Sequence, residues 1–108
     1  MYSYEPSTMQ KHEQEGGGTR YVATGDRMMI MLLELHPGAV VPLHSHPHEQ
    51  AGIVIEGEFD FIIGTERRRV KPGDMYIIPG GVPHQAIGSD RKAVFMDVWS
   101  PPREVLLD

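Results

Sequence analysis

The chain has 108 residues, a length that favours one compact domain and is short for two independent cores. The absence of cysteine excludes disulfides, thiolate metal sites and a cysteine nucleophile, and a net charge of -5 argues against a nucleic-acid-binding surface. The longest apolar run, residues 28–33, is too short to span a membrane, and the N-terminus shows no targeting pattern. We therefore expect a soluble, cytoplasmic protein that binds a small molecule, with residues 1–108 as one domain and residues 1–18 as an N-terminal arm.

Short apolar segments bounded by turn residues fill the chain after this arm. With 12 glycines and 9 prolines there is little room for long helices. The pattern predicts strands at residues 19–23, 28–36, 40–44, 50–56, 58–63, 67–71, 74–78, 84–87 and 92–99. So many short strands at close spacing predict an all-β sandwich or barrel. The segment 28–33 is apolar at nearly every position, which predicts burial on both faces, as at a subunit interface.

The stretch HSHPHEQ, residues 44–50, concentrates possible metal ligands. His44 and His46 are two residues apart, so on a strand their imidazoles point the same way. Pro47 typically bends or ends a strand, which lets Gln50 return over the same cavity. His84 follows a Pro/Gly turn and is expected at the mouth of the same barrel. These four side chains predict a site for one divalent transition metal, although a lone histidine is more often a surface or hydrogen-bonded residue than a ligand.

The neutral charge of Gln50 bears on the chemistry of such a site. Three imidazoles and an amide leave the full charge of a divalent ion available, which favours Lewis-acid reactions such as tautomerisation, hydration or elimination. Imidazole and amide ligands suit Zn, Ni, Fe, Co or Mn, so the sequence leaves the metal open. Redox chemistry with dioxygen stays an alternative.

The last predicted strand alternates Phe95, Asp97 and Trp99 on one face. If that face lines the barrel, Asp97 is a partly desolvated acid near a dication, which suits a general acid or base. A surface aspartate on an edge strand is the alternative. Arg103, just after two prolines, offers a fork for a substrate carboxylate, and an ordinary exposed arginine is its alternative.

Two spaced motifs resemble the cupin superfamily. The first is G-x5-H-x-H-x3-Q-x6-G from Gly38, the second is G-x5-P-x-G-x2-H ending at His84, and 15 residues separate them. The resemblance implies a single-domain cupin, a double-stranded β-helix or jelly-roll barrel, with a metal on His44, His46, Gln50 and His84. The chain departs from the family where Gln50 replaces the usual Glu and where Gly88 replaces a frequent Asn.

Four segments, GGG-x-R, HSHPHEQ, EGEFDFIIG and DVWSPPRE, together look like the KdgF-type cupins of pectin and alginate breakdown. This resemblance implies an enzyme that converts 4,5-unsaturated monouronates, which are small acidic sugars, to the linear keto form. It implies Asp97 as the proton-transfer residue, Arg103 and Trp99 as substrate contacts, and a homodimer. The alternatives are a cupin dioxygenase acting on a small organic substrate and a non-catalytic cupin that binds a small ligand.

Other polar residues are expected to lie outside the metal site. His48 and Glu49 have ligand chemistry, but the family pattern passes over both, which favours supporting or rim positions. His12 and His36 are expected to have no functional role. The arginine run at residues 67–69 predicts a solvated strand edge that blocks strand-to-strand aggregation.

Overall fold

The computed structural model describes residues 2–107, and nine of the ten strands in this range follow the predicted segments to within one residue at each end. In chain order the strands are β1 (His12–Glu13), β2 (Gly18–Thr24), β3 (Met29–Leu35), β4 (Val40–His44), β5 (Glu49–Glu56), β6 (Phe59–Ile63), β7 (Glu66–Val70), β8 (Met75–Ile78), β9 (His84–Gly88) and β10 (Ala93–Ser100). Short 3-10 turns lie at Pro6–Thr8 and Glu104–Leu107. These two turns and β1 were not predicted.

The strands form two antiparallel sheets. One has six strands in the order β1-β2-β3-β10-β5-β8, and the other has four in the order β4-β9-β6-β7. Aromatic side chains of the two sheets meet in the interior, where the rings of Phe59 on β6 and Phe95 on β10 are 4.8 Å apart. The two sheets therefore enclose one core, and the all-β prediction is confirmed.

Alternation along β10 positions the interior side chains. Ala93, Phe95, Asp97 and Trp99 are all buried, and the residues between them are more exposed. Strand side chains point alternately to the two faces of a sheet, so these four residues share the inner face. Ala93, Phe95 and Trp99 belong to the apolar core, and Asp97 places a buried carboxyl in the same row.

Within the single chain, residues 28–33 are buried on one face only, so the expected burial of the second face at a subunit interface stays a prediction. Met29, Met31 and Leu33 are buried, but Met28 is 58% exposed and Ile30 is 43% exposed. The reason is that the four-stranded sheet covers only the inner face of the six-stranded sheet. β3 is thus an ordinary alternating strand with apolar residues on its outer face as well.

The N-terminal segment contributes one strand to the larger sheet. β1 pairs with β2 through His12 opposite Arg20 and Glu13 opposite Thr19. The Arg20 side chain is buried, and its Nε donates to the carbonyl of Leu106 at 3.2 Å. Strand β1 and the C-terminal 3-10 turn therefore both contact β2. Across residues 2–107, no helix has the length and apolar character needed to cross a membrane.

Candidate metal centre

The three histidines of the two motifs come from neighbouring parts of the fold. His44 ends β4 and lies directly opposite His84, the first residue of the adjacent strand β9. The turn before β9 packs on the loop that carries His46, where the Gly81 amide donates to the His46 carbonyl at 2.8 Å. A Cβ at Gly80 would collide with the Pro47 carbonyl, so that glycine permits the close approach. The Pro/Gly turn thus brings the two motifs together.

The imidazole rings form a compact triad. The possible ligand nitrogens of His44, His46 and His84 all lie within 4.8 Å of one another. Ring centroids are 4.3 Å apart for His44 and His84, and 4.9 Å apart for His46 and His84. His46 and His84 are buried, and His44 is half-buried. Three nitrogens at this spacing could hold one metal ion.

Backbone carbonyls orient all three rings in the same way. Each Nδ1 lies within hydrogen-bonding distance of the carbonyl two residues away: Pro42 for His44 at 2.8 Å, His48 for His46 at 3.1 Å and Val82 for His84 at 2.9 Å. A carbonyl oxygen can only accept, so each neutral ring carries its proton on Nδ1. The Nε2 lone pairs are then available, which is the ring arrangement found at metal-binding histidines.

The free lone pairs fit a cation. Nε2 of His84 is buried and has no hydrogen-bond partner among residues 2–107. Nε2 of His46 lies 3.1 Å from Oε1 of Gln50, and both atoms are acceptors when the ring proton is on Nδ1. Burial lowers the pKa of His84 to about 4, which keeps that ring neutral. The donor set suits a divalent transition metal because a bound cation would satisfy these otherwise unmatched lone pairs.

The Gln50 amide is held at both ends. Its Oε1 accepts from Nε1 of Trp99 at 2.9 Å, and its Nε2 donates to Oδ2 of Asp97 at 3.0 Å. These two contacts fix which end of the amide is oxygen and which is nitrogen. The oxygen, which has a second lone pair, faces His46, and the nitrogen faces the carboxylate.

Asp97 is a buried carboxyl at the centre of a sheet. It is 2% exposed and lies on β10, between β3 and β5, so the alternative of a surface aspartate on an edge strand is wrong. Burial raises the pKa of Asp97 to about 7, while hydrogen bonds from Tyr76 and Gln50 act in the opposite direction. The site therefore holds an acid whose two protonation states are close in free energy near neutral pH.

One cavity connects these groups. It has a volume of about 550 Å³, within the range of small-molecule sites, and His44, Gln50, His84 and Asp97 all line it. Trp99 and Arg103 also line it, and Cζ of Arg103 lies 5.5 Å from the Trp99 ring centroid, over the ring. Burial lowers the pKa of Arg103, as does the nearby charge of Arg20. Arg103 is half-buried rather than fully exposed.

The remaining candidates lie outside the triad. The ring of His48 is 5.4 Å from that of His46, and Glu49 is exposed. His36 is exposed, with Nε2 3.4 Å from the hydroxyl of Thr19, and His12 lies on β1. The arginine run lies on β7, an edge strand of the smaller sheet, and its three arginines are exposed.

Sequence reasoning missed two residues that contact this network, Tyr76 and Gly52. The Tyr76 hydroxyl donates to Oδ1 of Asp97, and Gly52 lies between the two side chains. An isolated glycine within a strand pattern can mark a close approach of other groups, so Gly52 offered a weak signal. Tyr76 offered none, because its contact depends on the register of three strands.

The cupin domain family matches residues 31–99 of the chain. The pectin degradation protein KdgF of Dickeya dadantii is 26% identical over 103 residues, covering 94% of both chains. The dimethylsulfoniopropionate lyase DddQ of Ruegeria pomeroyi is 31% identical over 75 residues, covering 68% of this chain and 37% of its own. Among solved structures, KdgF from Halomonas sp. superposes with a TM-score of 0.87 at 28% identity, covering 95% of this chain and 96% of that one.

The family match spans well over half of the chain, and it includes His44, His46, Gln50 and His84. The fold, the two motifs and the histidine triad agree with it. The chain therefore belongs to the cupin family, and over almost its whole length it is similar to KdgF.

Proposed function

We propose that this cupin is a metal-dependent enzyme that converts 4,5-unsaturated monouronates to their linear keto form by ring opening and tautomerisation. The observation that carries the proposal is the buried Asp97 carboxyl, which lines the same cavity as His44, His84 and Arg103. The similarity to a pectin degradation protein over 94% of the chain supports the substrate class. The similarity to KdgF, a pectin degradation protein, and to the lyase DddQ also supports an enzymatic role.

His44, His46, Gln50 and His84 would hold the metal, which would be Zn, Ni, Fe, Co or Mn. When bound, a divalent ion with four neutral ligands supplies Lewis-acid polarisation of a substrate oxygen. Arg103 would bind the uronate carboxylate through its guanidinium fork. Its position over the Trp99 ring restricts the movement of the fork, and Trp99 itself gives the sugar an aromatic wall.

Asp97 would move the proton. Its carboxylate takes the proton from the anomeric hydroxyl as the bond between carbon 1 and the ring oxygen breaks, which leaves an aldehyde and an enolate. Protonated Asp97 then delivers this proton to carbon 4, which gives the ketone and returns Asp97 to its carboxylate form. One carboxyl group that alternates between its two protonation states can serve both transfers, and no co-reactant is consumed.

The first prediction concerns the metal. We expect purified protein to contain about one transition-metal ion per chain, since the triad and Gln50 form one site. His84→Ala should weaken metal affinity by at least about 100-fold, because it removes a buried ligand. Elemental analysis and metal titration measure both. His36→Ala is the matched control and should bind as wild type does, whereas wild-type affinity in His84→Ala would rule out this ligand set.

The second prediction concerns turnover. Metal-loaded protein should abolish the enol-ether absorbance of an unsaturated monouronate without consuming oxygen. Asp97→Asn should lower kcat by roughly 10²- to 10⁴-fold with its metal retained, because proton transfer is lost. Asp90→Asn, at an exposed position, is the control.

Each outcome separates the alternatives. Loss of substrate accompanied by oxygen uptake would favour a dioxygenase, and saturable binding without turnover would favour a ligand-binding cupin. An unimpaired Asp97→Asn variant would remove Asp97 from the mechanism.

We further propose a homodimer formed through the outer face of the six-stranded sheet. Two rows of four apolar side chains cross four neighbouring strands there: Ile30, Val98, Ala51 and Ile77 in one row, and Leu32, Met96, Ile53 and Met75 in the other. Met75 is 76% exposed and Ile77 is 62% exposed. A contiguous patch of exposed apolar side chains commonly marks an interface, and these eight uncharged residues suit pairing with a second copy of the chain.

Light scattering during gel filtration tests the dimer. Wild-type protein should have about twice the chain mass of 12.1 kDa, and Met96→Glu should have the mass of one chain because it buries a charge in the interface. Val40→Glu, on the smaller sheet, should remain dimeric. Wild-type protein at the mass of one chain would contradict the proposal.

A further inference from the structure

Three neighbouring strands place Asp97, Gly52 and Tyr76 in one row. Asp97 of β10 is opposite Gly52 of β5, and Gly52 is opposite Tyr76 of β8. Asp97 and Tyr76 are both buried, and residues paired across strands share one face of the sheet. Strands two positions apart are separated by roughly 9.5 Å, so the two side chains can meet only if nothing stands between them.

Gly52 leaves that space open. A Cβ built at Gly52 would overlap Oδ1 of Asp97 and would lie 2.5 Å from two ring atoms of Tyr76. The backbone of Gly52 is not in the left-handed region. The glycine is therefore needed for the close approach of the two side chains and not for its conformational freedom, and a larger residue would separate the carboxyl from the phenol.

Among residues 2–107, the hydrogen bonds that Asp97 accepts come from one side of its strand. Oδ1 accepts from the Tyr76 hydroxyl, and Oδ2 accepts from the Gln50 amide. On the other side, Asp97 is opposite Met31 of β3, whose thioether cannot donate a hydrogen bond. Without the Tyr76 hydroxyl, one amide contact would remain to restrict rotation of the carboxyl.

Tyr76 acts from behind the carboxyl. Asp97 and Gln50 line the cavity, and Tyr76 is not among the cavity-lining residues that the structure describes. The phenol is therefore separated from a substrate in the cavity by the carboxyl that it contacts. Each carboxylate oxygen has two acceptor sites, so Asp97 can hold both hydrogen bonds and still present a lone pair to the cavity.

We infer that Tyr76 is a positioning residue, whose hydroxyl fixes the Asp97 carboxyl in its reactive orientation across the gap left by Gly52. The reaction assigned to Asp97 rests on the proposed function, whereas the orienting contact does not. Tyr76→Phe keeps the aromatic ring and removes only the hydroxyl. Gly52→Ala keeps both functional groups but separates them. Tyr21→Phe is the matched control, because Tyr21 pairs with Leu32 on the outer face of the same sheet.

Kinetics of the metal-loaded protein form the first part of the test. Tyr76→Phe should lower kcat by about 10- to 100-fold, the effect of a misplaced reacting group, with KM and metal content within about twofold of wild type. In an Asp97→Asn background the same substitution should change kcat by less than about twofold, because two residues that act as a unit are not additive. Tyr21→Phe should match wild type in both backgrounds.

The second part does not depend on turnover. The ¹³Cγ resonance of Asp97, recorded on metal-free protein, should shift in Tyr76→Phe and in Gly52→Ala and stay in place in Tyr21→Phe. If wild type does not convert the uronate, the proposed function fails and this resonance alone decides the role of Tyr76. An unshifted Asp97 resonance in Tyr76→Phe would overturn the inference. So would a Tyr76→Phe variant with the kcat of wild type, or one whose loss of kcat is just as large in the Asp97→Asn background.

Discussion

The side-chain amide of Gln50 joins the two halves of the candidate site. Its oxygen faces His46 and accepts from Trp99, and its nitrogen donates to Asp97 at 3.0 Å. A glutamate at this position, usual in the wider family, would place a second carboxylate against the first in a buried environment. Like charges at this distance raise a carboxyl pKa strongly, so one of the two groups would have to hold a proton. The neutral amide avoids this conflict and keeps its oxygen available to a metal.

The fold supplies this arrangement from both sheets. β10 carries Asp97 and Trp99 two residues apart on its inner face, and both contact Gln50 of the adjacent strand β5. The opposite sheet carries His44 and His84 on the paired strands β4 and β9. The same alternation that packs Phe95 into the core therefore sets the acid, the amide and the imidazoles around one cavity. A one-residue slip of β10 would turn Asp97 and Trp99 to the outer face.

Local sequence patterns were enough to predict most of the strands and the four side chains of the candidate metal centre. Turn residues and alternation predicted nine strands because both signals lie within a few neighbouring residues. The spacing of the motifs predicted that His44, His46, Gln50 and His84 would meet. β1 was missed because two residues carry no periodicity. The apolar outer face of residues 28–33 looks like a core face in sequence, and within the single chain Met28 and Ile30 on that face are exposed. The Tyr76 contact required the register of β10, β5 and β8, which no local pattern specifies.

Sequence reasoning explained only part of the role of Gln50. Charge alone suggested a stronger Lewis acid, because a neutral ligand leaves the metal charge intact. The structure adds that the amide accepts at one end and donates to Asp97 at the other without carrying a charge or a titratable proton. The residue thus serves the carboxyl as directly as it would serve a metal, and the network from Tyr76 through Asp97 to Gln50 links the interior of the sheet to the cavity.

The most direct measurement is a comparison of wild type with Gln50→Glu for metal content and for initial rate on an unsaturated monouronate in the same preparation. We expect both proteins to hold about one metal per chain, since glutamate is also a ligand. The rate of Gln50→Glu should be at least about 100-fold lower, because a second carboxyl against Asp97 would share one proton with it and Asp97 would no longer gain and lose its proton independently. Equal rates would show that the amide link between Gln50 and Asp97 has no part in the chemistry, and a wild-type protein without turnover would contradict the proposed reaction itself.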